Sequence, residues 1–238
     1  MNFPFMTVIT FTPVLAAVIL LLMPGESRYD PERDGQRLNA LRNAMRTVAA
    51  VATFISLALS LYVFLGVNRA YALGTPGPFF FEDGRWNWVP QLGIGYHMGV
   101  DGISAPMILL TGLASFTGVL ISWGIDDRVR EFMAFFMLLT AGVYGVFVSL
   151  DLFQLFFFYE LAIFPMYILI ATWGWKVTRE YASMKLTLYI LVGSVVALVG
   201  VIAMYFVGRS AGLDMTFDIT SFMAASQSGV YVRPLAGL

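Results

Sequence analysis

Long apolar stretches constrain the fold of this chain more than any other feature. There are six of them, each about as long as an α-helix that crosses the hydrocarbon core of a bilayer, which takes about 20 residues. Apolar residues make up 59% of the chain and charged residues only 12%, a profile typical of helical membrane proteins. The sequence therefore predicts an all-α membrane protein, a single polytopic domain over 1–238, with helices at about 4–23, 47–67, 103–123, 131–150, 152–173 and 184–207 and a polar tail at 208–238.

Several functions are disfavoured by the composition. The net charge of −1 argues against nucleic-acid binding. Since the chain has no cysteine, it can form neither a disulfide nor a thiolate-ligated iron–sulfur cluster. His97 is the only histidine, and a lone histidine near a membrane interface is usually hydrated or locally hydrogen-bonded, so we predict no metal site.

Basic residues are distributed unevenly between the connections. The connections after the first, third and fifth stretches contain most of them, namely Arg28, Arg33, Arg37, Arg42, Arg46, Arg128, Arg130, Lys176 and Arg179. The other side has Arg69, Arg85, Arg209 and Arg233. Because cytoplasmic loops are enriched in Lys and Arg, we expect a multi-pass protein of a bacterial inner (plasma) membrane with both termini in the periplasm.

The connection at 68–99 is long and polar. Its glycines and prolines, as in Gly-Thr-Pro-Gly-Pro, break a helix, and Trp86 and Trp88 suit the level of the lipid headgroups. At its end, Asp101 precedes the third stretch. This carboxylate is placed either to cap the helix or to serve a function, and the sequence does not favour one over the other.

One acidic residue lies inside an apolar stretch. Glu160 belongs to FFFYELAIFPMY at 156–167, close to the middle of the membrane in the predicted topology. Such a residue is a functional candidate because burying a charge in hydrocarbon is costly. Pro165 predicts a loosened or kinked helix beside it. The alternative is a structural glutamate that hydrogen-bonds a neighbouring helix.

Lys185 is the one basic residue inside an apolar stretch, close to the start of that stretch. A carboxylate whose charge depends on whether a cation is near can load and release a proton, so Glu160 and Lys185 are the candidate proton-relay residues. Lys185 lies near the start of its helix, where extending to the interface is an equally good explanation. Small residues also recur four apart, as in Ala141 and Gly145 or Gly193 and Ala197, a spacing that favours close helix packing.

Three motifs resemble a known family. They are GVDGIS at 99–104, the run EFMAFFMLLTAGVYGVFVSLDLFQLFFFYELAIFPMYILIATWG that contains Glu160, and YASMKLTLYILVGS that contains Lys185. They resemble the antiporter-like membrane subunits of respiratory complex I, the proton-pumping NADH:quinone oxidoreductase. The form ELAIFPMY is most similar to the chain M type, the counterpart of mitochondrial subunit 4.

The resemblance implies a fold, a function and partners. It implies the N-terminal part of a fold with two inverted five-helix repeats, and a role in proton translocation coupled to quinone reduction. Glu160 and Lys185 match the family's conserved glutamate and lysine, and the glutamate pairs in the family with a lysine on a broken seventh helix. No cofactor is expected on this chain, whereas FMN, iron–sulfur clusters and quinone are expected on partner subunits of the complex.

The resemblance also leaves alternatives open. The sequence ends at Leu238, before a seventh helix, so we expect the remaining helices on a separate chain, or else a truncated or partial product. A subunit of a multi-subunit sodium/proton antiporter, which shares ancestry with this family, is one alternative function. A truncated structural scaffold is another.

Overall fold

The computed structural model describes residues 3–26, 29, 33–74, 79–210, 216–227 and 229. Seven α-helices and two strands occur in these ranges: α1 Phe5–Leu22, α2 Gly35–Ala72, β1 Phe80–Val89, β2 Ile94–Val100, α3 Ser104–Ile121, α4 Val129–Val148, α5 Leu152–Trp173, α6 Arg179–Ser210 and α7 Ile219–Gln227. Helices α1 to α6 are long and apolar enough to cross a membrane, as predicted.

The six long helices alternate in direction, so the bundle has two ends. At one end, which we call the hairpin end, the backbone N–H of Thr7 near the start of α1 donates to Asp83 of β1 at 2.6 Å. At the other, the N–H of Val129 at the start of α4 donates to Glu26, just after α1, at 2.7 Å. We call this second end the arginine end and define it by Glu26, Arg42, Arg46, Asp126 and Arg130.

The buried core lies among α1 to α4. One cluster near the arginine end includes Leu20, Met45, Val119, Met133 and Met137, and another near the hairpin end includes Met6, Ile9, Val63, Ile108 and Tyr144. Helix α4 is the most enclosed of the six, since 56% of its most apolar 18 residues are buried, whereas α6 has 11% buried and packs against α5. The bundle therefore has a packed centre and an open rim.

Strands β1 and β2 form an antiparallel hairpin against the bundle. Trp86 pairs with Tyr96 across the two strands, and β2 is almost entirely buried. The backbone of β2 is fixed from the bundle, because the N–H of Leu150 donates to the carbonyl of His97 at 2.9 Å and the N–H of His97 donates to Gln154 Oε1 at 3.0 Å. The sequence predicted that no helix forms in this connection but did not predict the strands.

Other boundaries also differ from the sequence prediction. Helix α2 begins at Gly35 rather than at about 47, because the run of Arg, Gln, Leu, Asn and Ala before the apolar stretch contains good helix formers. Helix α6 spans Arg179–Ser210 rather than 184–207, and the tail expected to be polar contains α7. Pro165 does not interrupt α5, which is helical from Leu152 to Trp173.

Close helix contacts occur at only some of the expected small residues. A methyl group added at Gly145 of α4 would lie 2.1 Å from Cγ of Phe158 on α5, so these helices touch there. At Gly193 of α6, nothing among the described residues lies within 4 Å of such a group. The expectation of tight packing at Gly193 is therefore not met within this part of the chain.

Candidate functional site

Glu160 is held in place by a well-capped helix. Asp151 caps α5, because its Oδ1 accepts from the N–H of Phe153 at 2.9 Å and of Gln154 at 3.1 Å. Glu160 follows nine residues later, or about 13 Å along the helix. Its side chain is partly buried, and Oε1 is shielded from solvent with no hydrogen-bond partner among the described residues.

The packing of α5 shows which way Glu160 faces. Phe158 contacts Gly145 of α4, and Ala162 lies against Gly142. Glu160 lies two residues from each of them, and because helix positions are about 100° apart, it faces about 160° away from α4. The carboxylate therefore faces away from α4, the most buried helix, towards a side where α5 is poorly covered.

Lys185 lies two turns into α6 and is exposed. Its Nζ is 5.4 Å from the ring centroid of Tyr181 and 5.9 Å from that of Tyr189. The described ion pairs include none between Lys185 and Glu160, so the structure does not join the two predicted relay residues in a salt bridge. An exposed lysine that stacks on tyrosines of its own helix, near the helix start, is the arrangement typical of a side chain that extends to the interface.

Asp101 caps α3 by a reciprocal pair of hydrogen bonds. Its Oδ1 accepts from the N–H of Ser104 at 2.6 Å, and Ser104 Oγ accepts from the N–H of Asp101 at 2.8 Å. Two backbone donors that the helix leaves unpaired are satisfied in this way. Of the two interpretations left open by the sequence, the structure supports capping.

A cluster at the hairpin end was missed in the sequence analysis. His97 Nδ1 lies 3.0 Å from Asp218, its Nε2 lies 3.5 Å from Glu82, and Arg85 approaches Asp218 at 3.3 Å. We call these four residues the outer clasp. It connects the hairpin to the segment before α7. His97 and Asp218 are 121 positions apart in the chain, and no local sequence pattern predicts that they meet.

The clasp favours a charged histidine. The hydrogen bond to Asp218 raises the pKa of His97, and the charges of Asp218 and Glu82 add to this effect. Burial opposes the ionisation of Asp218, but the hydrogen bonds from His97 and Thr220 and the charge of Arg85 hold the pKa of Asp218 well below its usual value. The nearby Asp151 differs, because burial raises its pKa.

A family sequence model matches the second half of the chain in part. The model for the transmembrane part of NADH:quinone oxidoreductase and Mrp antiporter proteins matches residues 149–232, which include Glu160 and Lys185. Over these residues the chain is similar to that family. The predicted resemblance to complex I membrane subunits is thereby confirmed.

Curated relatives match almost the whole chain. NAD(P)H-quinone oxidoreductase chain 4 2 of Microcystis aeruginosa is 36% identical over 218 residues, which is 92% of this chain and 35% of the relative. NADH-quinone oxidoreductase subunit M of Rhodobacter capsulatus is 36% identical over 215 residues, covering 90% of this chain and 38% of the relative. The chain thus spans between a third and two-fifths of the length of these relatives.

Solved structures share the fold. A chain of respiratory complex I from Thermus thermophilus with bound NADH superposes with a TM-score of 0.70 at 23% identity, over 92% of this chain and 39% of that one. A chain of the membrane-bound sulfane sulfur reductase, an archaeal respiratory membrane complex, gives 0.64 at 20% identity over 85% of this chain and 37% of that one. The predicted antiporter-like membrane fold is confirmed.

Proposed function

We propose that this chain forms part of a proton-translocating membrane subunit of an NADH:quinone oxidoreductase, in which Glu160 takes up and releases protons. The observation that carries the proposal is the shielded Oε1 of Glu160, which has no partner among the described residues. The names of the curated relatives support the assignment to this complex. Flavin, iron–sulfur clusters and quinone would then belong to partner subunits of the membrane complex.

The setting of Glu160 suits a group that changes partners. A shielded carboxylate oxygen without a hydrogen bond is unfavourable, so a donor that arrives from elsewhere in the full-length protein or a neighbouring subunit would be bound strongly. Because Glu160 faces away from α4, such a donor would approach from the side of α5 opposite α4. A proton or a cation that alternates at this oxygen is the event that a relay requires.

Lys185 is the second proposed relay residue. Its ammonium lies on the outside of α6, next to Tyr181 and Tyr189, and pairs with no described carboxylate. An ammonium near the cytoplasmic boundary can donate a proton, and the neutral amine that results can accept one at the entrance of a path. Because no ion pair joins Lys185 to Glu160 among the described residues, a path between the two would need other groups.

A sodium/proton antiporter subunit is the second candidate, because the family model includes Mrp antiporters. The two candidates differ in their partners. Purification of the complex with flavin and iron–sulfur absorbance supports the oxidoreductase. A purely membrane-bound complex whose proton flux requires sodium supports the antiporter.

Glu160→Gln tests the relay. The amide has nearly the same shape, so the complex should assemble, yet NADH-driven proton uptake into membrane vesicles should fall by about tenfold or more. Glu160→Asp should retain part of the activity, because the titratable group persists. Pumping is measured with a pH-sensitive dye and assembly on a native gel.

Glu180→Gln is the matched control, since it makes the same change at an exposed acid in the first turn of α6. It should pump normally. Normal pumping by assembled Glu160→Gln would instead make Glu160 a structural hydrogen-bonding residue, since an amide can both donate and accept.

We also propose that the arginine end is cytoplasmic, with both termini in the periplasm. Arg42, Arg46 and Arg130 lie at this end, and cytoplasmic loops are enriched in such residues. A reporter that is active only in the cytoplasm should therefore be active when it is inserted next to Arg37. Periplasmic labelling of that site would reverse the topology.

A further inference from the structure

A large cavity lies at the hairpin end, between α1, the hairpin and α5. Its volume is about 1010 Å³, at the upper limit of common small-molecule pockets, and its lining includes Phe11, Arg85, Trp88, Gln154, Phe157 and Phe158. It extends from the strands down to Phe11 and Phe158, each six residues into its helix, or about 9 Å. The cavity therefore starts at the interface and enters the apolar layer.

Its deeper walls are aromatic. Phe11 meets Phe158 edge to face at 6.4 Å, and Trp88 meets Phe157 in the same way at 6.4 Å. Trp86 and Trp88 are 78% and 62% exposed, so the mouth opens outwards at the level where tryptophan contacts lipid headgroups. Such walls accept a flexible apolar chain and offer it no hydrogen bond.

One polar group of the lining has no partner. Gln154 is 95% buried, since only 5% of it is exposed, and its Oε1 accepts from the N–H of His97 at 3.0 Å. Because a backbone N–H can only donate, the amide orientation is fixed, and Nε2 must be the donor on the other side. That Nε2 has no hydrogen-bond partner among the described residues, which is costly for a buried donor.

The cavity also includes one cation. Arg85 has its side chain 44% exposed, and its guanidinium contacts Asp218 at 3.3 Å and Thr216 at 3.0 Å. A guanidinium has five N–H donors, so these two contacts leave others free. The carboxylate of Asp83 accepts from the N–H and the hydroxyl of Thr7, both through Oδ2. Gln154 and Arg85 thus both offer hydrogen-bond donors to the cavity.

We propose that this cavity is a binding site for one phospholipid. An acyl chain lies between the aromatic walls, an ester carbonyl accepts from Gln154 Nε2, and the phosphate lies beside Arg85 at the mouth. Only a molecule with a long apolar chain, acceptor oxygens at its head and access from the bilayer matches the three features together. The site is independent of the proton relay, because Glu160 is not among the lining residues.

A photoreactive phosphatidylglycerol tests the proposal in the assembled complex. The lipid has a diazirine in its acyl chain and is added to the membrane at increasing mole fraction, and the labelled residues are identified by mass spectrometry. Labelling at Phe11, Trp88 and Phe157 should saturate at low mole fraction. Labelling at Val196, 68% exposed on α6, should rise in proportion to the lipid and serves as the internal standard for bulk lipid.

Gln154→Glu is the decisive variant. It retains an oxygen that accepts from the N–H of His97, so the hairpin should remain in place, and it replaces the unpaired donor with a carboxylate that only accepts. Labelling of the cavity at low mole fraction should fall by about fivefold or more, because the donor is lost and the carboxylate repels the ester carbonyl and the phosphate, with Val196 unchanged. Asn68→Asp, the same chemical change at an exposed residue of α2, should have no effect.

Three outcomes would overturn the proposal. Cavity labelling that rises in proportion to the lipid, as at Val196, would mean bulk lipid only. Cavity labelling that stays the same in Gln154→Glu would mean that the amide takes no part. Absence of cavity labelling beside normal labelling of α6 would mean that protein covers the cavity.

Discussion

Helices α4 and α6 are both apolar and both long enough to span a membrane, yet the rest of the chain buries them to very different extents. In α4, 56% of the most apolar stretch is buried by this chain, against 11% in α6. The less covered side also holds both proposed relay residues, Glu160 on α5 and Lys185 on α6. A membrane helix that its own chain covers so little is a surface for further helices or lipid, and the proposed relay would need groups beyond the described residues.

The largest expected effect on stability is the difference between adding one methyl group to α4 and adding one to α6. In Gly145→Ala, the new Cβ would lie 2.1 Å from the ring of Phe158, so the ring or the helix must move. Overpacking of this kind costs about 1–3 kcal/mol of unfolding free energy. Gly193→Ala meets nothing within 4 Å among the described residues and should leave stability unchanged or slightly higher.

Thermal unfolding of the two variants in the assembled complex measures the difference. The substitutions are chemically identical and both lie in apolar helices, so each is the control of the other. Equal destabilisation by both would mean that another helix packs against α6 as closely as α5 packs against α4. The contrast between centre and rim would then apply only to the isolated chain.

The sequence predicted the membrane spans but not the contacts between them. Length and hydropathy alone locate six helices, because the bilayer fixes both. A small residue four positions from another occurs equally at Gly145 and Gly193, and only the neighbouring helix distinguishes them. Glu160 was found for the same reason that the spans were, since an acid in an apolar stretch is a local signal.

The hairpin was missed although it has a local signal. Arg85, Trp86, Asn87 and Trp88 alternate between polar and apolar, the period-two pattern of a strand, and Pro90 to Gly93 supplies the turn. The tryptophans were assigned only to the interface. The contact between His97 and Asp218 could not be predicted from a local pattern, because the two residues are 121 positions apart and meet only in the tertiary fold.

The outer clasp should make the attachment of the hairpin depend on pH. Because His97 has a raised pKa, its contribution is complete below about pH 6.5 and is lost as the pH rises through the pKa of the folded protein. Because Asp218 has a lowered pKa, its contribution is present above about pH 4 and is lost on strong acidification. The stabilisation should therefore be largest between about pH 4 and 6.5 and fall by about 1 kcal/mol at pH 8.5.

Hydrogen exchange of the β2 amides, corrected for the intrinsic effect of pH, measures this dependence. His97→Gln should remove the difference between pH 5.5 and 8.5, since the amide does not titrate. Glu180→Gln, which changes an acid of α6 outside the clasp, should leave the difference intact. A pH dependence that persists in His97→Gln would assign it to other groups, of which Asp151 has a raised pKa.

The smallest effect on stability should come from substituting Lys185, so that any loss of pumping in such a variant can be separated from unfolding. The ammonium lies 5.4 Å and 5.9 Å from two exposed tyrosine rings, and contacts of this kind at exposed sites contribute about 0.5–1 kcal/mol. Lys185→Met should therefore change the thermal stability of the complex far less than Gly145→Ala. If Lys185 belongs to the relay, the same variant should still lose most NADH-driven proton uptake.

Lys176→Met is the matched control, because Lys176 is also exposed at the arginine end and precedes α6. It should affect neither stability nor pumping. Lys185→Arg adds a second distinction, since arginine can extend to the interface and stack on the rings but does not release its proton. Normal pumping by Lys185→Arg together with loss in Lys185→Met would show that a fixed positive charge suffices, whereas loss in both would require a group that titrates. Normal pumping by both would leave Lys185 as an interface residue on the outside of α6, and Glu160 as the one proposed relay group on the poorly covered side of the bundle.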